Sequence, residues 1–274
     1  MRMVDQGRLN LDTPLYRYLP YPDIEQDGRY KLITARMALS HQTGFPNWRY
    51  FEMADPSLHI PYGQLYLKFT PGTSYAYSGE GYHYLAQVIA HLNGGDLKTL
   101  NDVFEREEAE PLGMEHAWFT GNSYLSAHMA TGHKNGKVAY KAWPTSFPGQ
   151  DSSTFGAAGG LHTDAISYAH FLTALMAGKV LTRKSQSEML RQQVEVPRND
   201  AAYVSGGDTG YALGFAIRES PYGRLYEHGG NNGNFQSGFV IDMKRKMGYV
   251  FFTNSDKGDA FNKKLSALMV DGKE

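Results

Sequence analysis

Cysteine is absent from these 274 residues. That excludes disulfides, thiolate nucleophiles and cysteine-held zinc or iron–sulfur centres, and leaves the compartment open. An excess of charge is missing too: 27 Lys and Arg stand against 28 Asp and Glu, which argues against a nucleic-acid or anionic-membrane partner. No apolar run reaches the roughly 20 residues of a membrane span. The start, MRMVDQGRLNLD, has neither the apolar stretch nor the small-residue cleavage site of a signal peptide. There is no Gly-x-Ser-x-Gly elbow and no phosphate loop ending in Gly-Lys-Ser/Thr. The ten histidines are not spaced for a metal: His83/His91 and His162/His170 stand eight apart, two helical turns, too far to chelate one ion. No metal and no organic cofactor is expected.

Aromatic residues are plentiful, 19 of them tyrosine, which suits either a cleft for a small or peptidic ligand or an aromatic core boundary. Length and composition, 41% hydrophobic and 20% charged, fit one large domain or two lobes around a shared core. At the N-terminus, Met1, Met3 and Val4 before Asp5-Gln6-Gly7 read as the last turn of a helix with Gly7 just past its end. One turn is not stable alone, so the chain reads as starting inside an element. RLNLDTPLYRYLP reads as extended. A short helix is predicted from about Thr34, with Met37 and Leu39 inward. FTPGTSYAYSGEGYHYLAQVIAHLNGG, Phe69 to Gly95, opens on a turn and becomes a helix with Tyr82, Leu85, Ile89 and Leu92 on one stripe. LKTLNDVFEREEAEPLGM is a further helix, stopped at Pro111, and Asn122 to Asp151 reads as loops with short strands.

In FGAAGGLHTDAISYAHFLTALMAG a glycine-rich turn precedes a helix with Thr163 as N-cap, Asp164 at its positive end, Gly178 as stop, and Ile166, Ala169, Leu172 and Leu175 or Met176 inward. Four strand-like runs follow, TGYALGFAIR, GRLYEHGG, NFQSGFVIDM and KMGYVFFTNSD, the last two a hairpin across KRK. The tail DAFNKKLSALMV is helical, with Phe261, Leu265 and Leu268 aligned. Helices followed by an antiparallel sheet and a covering helix make the fold class α+β.

Three features stand out together: Pro71-Gly72 leading to Tyr77-Ser78-Gly79, the stretch SHQTGFPNW from Ser40 to Trp48, and YEHGGNNGNFQSGFVID, where His228-Gly229-Gly230 ends a strand. In order and context these resemble the serine β-lactamase and penicillin-binding-protein-like family, in particular its class C, D-aminopeptidase and esterase members. DQGRLNLDTPLYRYLP, ITARMALSHQTGFPNW, EPLGM and AAGGLHTD extend the resemblance over about 230 residues.

The resemblance implies a β-lactamase/transpeptidase-like fold, an antiparallel sheet flanked by helices plus a mostly helical lobe. The helical lobe would span roughly 30–180, the α/β lobe 1–29 and 181–274. It implies acyl transfer from a serine in Ser-x-x-Lys, a phenol that shuttles protons, and a strand edge that holds substrate and offers an N–H to the oxyanion. Carried onto this chain, Tyr77 and His228 are the catalytic candidates, and Ser78, Gly79, Gly229, Gly230 and Asn231 the substrate-binding ones, with the Asn231 N–H as oxyanion donor. Independently of family, a phenol ionises near pH 10 and serves as a base only where cations favour its phenolate; a lysine and His228 are expected to do so. Glycines at 229 and 230 let a substrate backbone approach the edge. Taken singly, Tyr77 also reads as a hydrogen-bonded boundary tyrosine and His228 as a surface histidine.

Two departures mark the chain. Gly79 replaces the asparagine that binds a substrate's amide, which leans toward esters or an unusual amide. No Ser-x-x-Lys occurs in the 274 residues, and the family's nucleophile helix would end just before Asp5-Gln6-Gly7. The expectation is an N-terminally truncated serine hydrolase for a small amide, ester or peptide substrate, inactive as it stands, and prone to oligomerise or to accept a complementing fragment. The rivals are a non-catalytic binding module and a hydrolase using Ser78 or another internal serine. By family analogy the protein would be periplasmic or secreted.

Overall fold

The computed structural model describes residues 1–47, 49, 60–139 and 151–271. Trp48 and the part of the predicted loop region from 140 to 150 lie outside the described residues. Arg2–Asp5 form one helical turn, and Gly7 leaves it at φ +69°. The following segment runs irregularly, burying Leu9, Leu11 and Leu15. It is tied down by backbone bonds from Leu15 to Ile33 and from Arg36 to Leu11.

Helix α1 (Ala35–Leu39) starts where Thr34 Oγ1 accepts from Met37 N. Ala35 and Ala38 face the core, while Met37 and Leu39 are only partly buried. The predicted inward pair is therefore displaced by the small residues, which let α1 approach its neighbour closely. Helix α2 (Gly79–Leu92) is buried over far more than one stripe: Tyr84, Leu85, Ala86, Val88 and Ala90 are all buried. Such a helix is central to a core. The next helix runs Leu100–Phe104, passes through a π-helical turn at Glu105–Ala109, and continues as Glu110–Leu112. Pro111 does not stop it. The wider turn accommodates the missing N–H, and Gly113 at φ +69° provides the exit.

Strand β1 (Ala117–Trp118) pairs with β2 (His162–Thr163). Between them Ser123–His128 form helix α3, in a stretch expected to be loop, because Asn122 Oδ1 caps Leu125 N at 2.8 Å. Helix α4 (Ala165–Met176) begins at Asp164, whose carboxylate accepts from Ser167 N at 2.7 Å. The cap is thus Asp164 and not Thr163. Leu172 and Leu175 are buried as expected, but Ile166 is 72% exposed.

The C-terminal part is one six-stranded antiparallel sheet. Its strands are β3 (Val194–Glu195), β4 (Asp208–Tyr211), β5 (Ala216–Ser220), β6 (Gly223–Asn231), β7 (Gln236–Asp242) and β8 (Met247–Thr253), in the spatial order β8-β7-β6-β5-β4-β3. TGYALGFAIR yields two strands because the chain turns at Gly214, φ +92°. The expected hairpin across Lys244-Arg245-Lys246 forms, and Asp242 Oδ1 accepts from both Lys244 N and Arg245 N at 2.9 Å. Helix α5 (Gly258–Met269) packs on this end of the sheet. Phe261 meets Phe251 edge-on, yet Leu268 is 71% exposed, so the aligned stripe is only partly covered. No helix among the described residues is long and apolar enough to cross a membrane.

Candidate active site

Two motifs far apart in sequence interlock to make the tyrosine site. Ala76 N donates to His41 O at 2.9 Å, and Ser78 N donates to His41 Nδ1 at 3.0 Å. Ser78 Oγ donates to Pro46 O, and Gly79 N donates to Asn47 Oδ1, both at 2.9 Å. His41 sits at φ +57° and its ring lies 4.0 Å from the Tyr77 ring, tilted by 32°. The SHQTGFPN segment is thus a clamp around Tyr77-Ser78-Gly79, which is why the two motifs travel together.

Below the clamp lies a buried ionic network. Arg49 pairs with both Asp23 and Glu80, reaching Glu80 Oε1 at 2.7 Å, and Tyr21 Oη donates to the same carboxylate. Glu80 is fully buried in the first turn of α2, where negative charge is favoured. Two carboxylates and one phenol around a single guanidinium fix the helix start that carries Tyr77. None of His41, Asp23, Arg49 and Glu80 was singled out as a site residue in the sequence. His41 lies inside a motif that was; the network, assembled from residues 23, 49 and 80, has no local signature.

The strand edge is equally well defined. Strand β5 stops pairing with β6 at Ala216↔Glu227, while β7 continues alongside it to Asn231↔Gln236. His228, Gly229, Gly230 and Asn231 therefore have sheet on one flank only, and the other is open. Tyr77 Oη lies 3.3 Å from His228 Nε2. The His228 Nδ1–H donates to Gly229 O at 2.8 Å, so Nε2 carries the lone pair and the phenol is the donor.

Both groups are neutral. Burial pushes the Tyr77 phenol up to about 12, and burial lowers His228 below the ordinary imidazole value, partly offset by its bond to Gly229 O. The expected phenolate is not favoured here: among the described residues lining the cleft there is no lysine to stabilise it. Tyr77 has 41% of its surface open to the cleft although its hydroxyl end is surrounded by protein, whereas Ser78 is 1% exposed. The Ser78 hydroxyl caps α2, accepting from Gly81 N while donating to Pro46 O. Its one hydrogen is engaged by the Pro46 carbonyl and one acceptor site by the cap of α2.

Tyr77, Ser78, Gly79, His228, Gly229, Gly230 and Asn231 all line one cleft of about 1060 Å³. Its far side is built from β1, β2, α3 and α4, and its floor from Phe239, Val250 and Phe252 of β7 and β8. A phenol and an open strand edge facing into a large, mostly apolar cleft suit binding of an extended carbonyl compound and proton transfer at its reacting atom.

Residues 1–272 match the Beta-lactamase family, and the chain belongs to that family. It is 22% identical over 271 residues to protein flp of Staphylococcus aureus (strain COL), covering 93% of this chain and 49% of flp. The chain spans about half the length of the curated relatives it matches over most of its residues. Among solved structures, the octameric penicillin-binding protein homologue from Pyrococcus abyssi superimposes with a TM-score of 0.75 at 20% identity, covering 100% of this chain and 63% of that one. The D-stereospecific amidohydrolase from Streptomyces sp. gives 0.74 at 20% identity, covering 100% and 82%. These likenesses establish the α+β, β-lactamase/transpeptidase-like fold.

Proposed function

We propose that this chain is the cleft-forming part of a serine hydrolase that cleaves an ester or amide through an acyl-serine intermediate. The attacking serine and its lysine would come from residues outside these 274, so the chain alone would not turn over. The observation that carries this reading is the Tyr77–His228 contact at an open strand edge in a chain with no Ser-x-x-Lys. In the assembled site, Tyr77 would relay the proton between the attacking hydroxyl and the leaving group. His228 would hold the phenol's hydrogen in the resting state and accept positive charge as the relay runs. Gly229 and Gly230 would carry the substrate along the edge, and the Asn231 N–H would stabilise the oxyanion. Gly79 offers no side-chain amide, which favours esters over penicillin-type amides.

The lack of Ser-x-x-Lys also supports a second reading, a binding module that kept the cleft without the chemistry. To separate the two, short p-nitrophenyl esters and nitrocefin are offered to this chain preceded by the residues encoded upstream of Met1. Turnover, faster on esters and lost in Tyr77→Phe, supports the hydrolase. Binding without turnover of either substrate supports the module and sinks the hydrolase.

A further inference from the structure

The side of the cleft remote from Tyr77 carries four rings in an ordered array. His116, Tyr124 and His128 form a ladder. The first two rings are 4.8 Å apart at 15° and the last two 4.3 Å apart at 17°. Trp118 stands beside the ladder, 5.3 Å from Tyr124 and tilted by 42°. All four line the cleft that Tyr77 and His228 share.

The array is fastened, not loose. His116 is 2.6 Å from Asp164 through Nδ1, and its backbone N donates to Ser167 Oγ at 3.0 Å. Asp164 and Ser167 are held in turn by the capping bond that starts α4. His128 Nδ1 donates to Tyr124 O at 3.0 Å, one turn back along α3. Trp118 is fixed on β1 by its pairing with His162. One orienting bond on each imidazole, with Trp118 on β1 and Tyr124 and His128 on α3, limits how far the array can collapse on itself.

Rigid aromatic faces turned into a cleft are the usual lining of a small-molecule site. We propose that this array is a subsite for a planar aromatic group of the substrate, an inference that rests on the reading of the cleft as a hydrolase site. His116 and His128 lie near-parallel to the Tyr124 ring, and Tyr124 keeps 38% of its surface exposed. What the array offers is the indole of Trp118 set at an angle to the ladder. A third ring stacked on the indole meets the Tyr124 ring tilted by 42°, a second aromatic contact beside the first. A saturated ring of equal size fills the same volume without matching the charge distribution of the faces. Two such contacts are worth roughly tenfold to a hundredfold in affinity.

The test uses this chain and three neutral probes, phenylacetamide, cyclohexylacetamide and acetamide, followed by amide chemical-shift titration. Phenylacetamide is expected to bind at least about tenfold more tightly than either of the others, with the largest shifts at residues 116–128. Trp118→Leu and Tyr124→Leu should each remove most of that preference while retaining a cooperative melt. Equal binding of the phenyl and cyclohexyl probes, or a preference that survives both substitutions, would overturn the proposal. The two readings fail separately. Ester turnover by the longer chain with no gain from a phenyl ring removes the subsite alone; phenyl preference here with no turnover there removes the hydrolase alone.

Discussion

The hydroxyl of Tyr77 and Nε2 of His228 meet at 3.3 Å, although the two residues are 151 positions apart in the chain. One is presented by the start of α2 and the other by a strand that outruns its neighbour. The bond direction follows from His228 giving its own Nδ1–H to Gly229 O. A neutral phenol donates to a neutral imidazole, and burial sets the behaviour of both groups with pH.

Tyr77 should ionise late. Burial raises its phenol to about 12 from an ordinary value near 10. The sign follows from linkage: the favourable contribution of the neutral phenol is complete below pH 10 and is lost as pH rises towards 12. Site-resolved NMR of ζ-¹³C-tyrosine, with Tyr77→Phe to assign the signal, should give a midpoint well above 10. A midpoint at or below 10 contradicts the account of the site as cation-poor.

His41 should make the fold acid-sensitive. Burial holds its imidazole well below the ordinary value, and burial lowers His83 to about 4. The unfolded chain takes up protons below about pH 6.5 that these folded imidazoles refuse, so stability is present above that pH and falls as pH drops. His41→Asn keeps an acceptor for Ser78 N and tolerates the left-handed backbone; it should flatten the fall in urea-unfolding free energy between pH 7 and pH 5. His41→Ala orphans the Ser78 N–H and should cost about 1–3 kcal/mol at pH 7, before any cavity is counted. An unchanged pH slope in His41→Asn would show that His41 is not the buried neutral group.

Arg49 should matter far more than a surface arginine. Its replacement by methionine leaves Asp23 and Glu80 buried without their shared cation, and such a broken pair costs about 3–5 kcal/mol. Replacing Asp23, Arg49 and Glu80 together by apolar residues of similar size should recover much of that loss. Chemical denaturation measures both, and a loss under about 1 kcal/mol for Arg49→Met would mean that the network is solvated.

Gly230 should be tolerant in folding and intolerant in binding. It shares the face of His228, two residues along the strand. An added methyl would come 2.7 Å from Ser237 Oγ, a hydroxyl that can rotate aside. Gly230→Ala is therefore expected to lower Tm by only a few degrees, about 1 kcal/mol of destabilisation, and to weaken substrate binding at least about tenfold in the longer chain. Retained binding would argue that the edge at 228–231 does not carry the substrate.

The fold was legible where one pattern served one purpose. Three of the four strand-like runs of the last third form single strands and the fourth splits in two at Gly214, while the pairing of residues 236–242 with 247–253 follows from the turn between them. Boundaries failed where tertiary packing or capping decided the matter. Asp164 outcompeted Thr163 because its carboxylate reaches Ser167 N, and Asn122 nucleated a helix in a polar stretch that carries no apolar period. Tyr77 and the edge at His228–Asn231 were legible through motifs and do meet in space. The clamp by His41, the Asp23–Arg49–Glu80 network and the ring array of 116–128 were not, since each is a conjunction of distant residues that only the folded chain assembles.

The central proposal is that the attacking hydroxyl for the cleft between Tyr77 and His228 is supplied by residues outside these 274. Intact-mass analysis after exposure to a fluorophosphonate, followed by peptide mapping, tests it most directly. The account predicts no adduct on the 274 residues and a single adduct, on an upstream serine, when the longer chain is treated. An adduct on Ser78 or any other serine of this chain would contradict it.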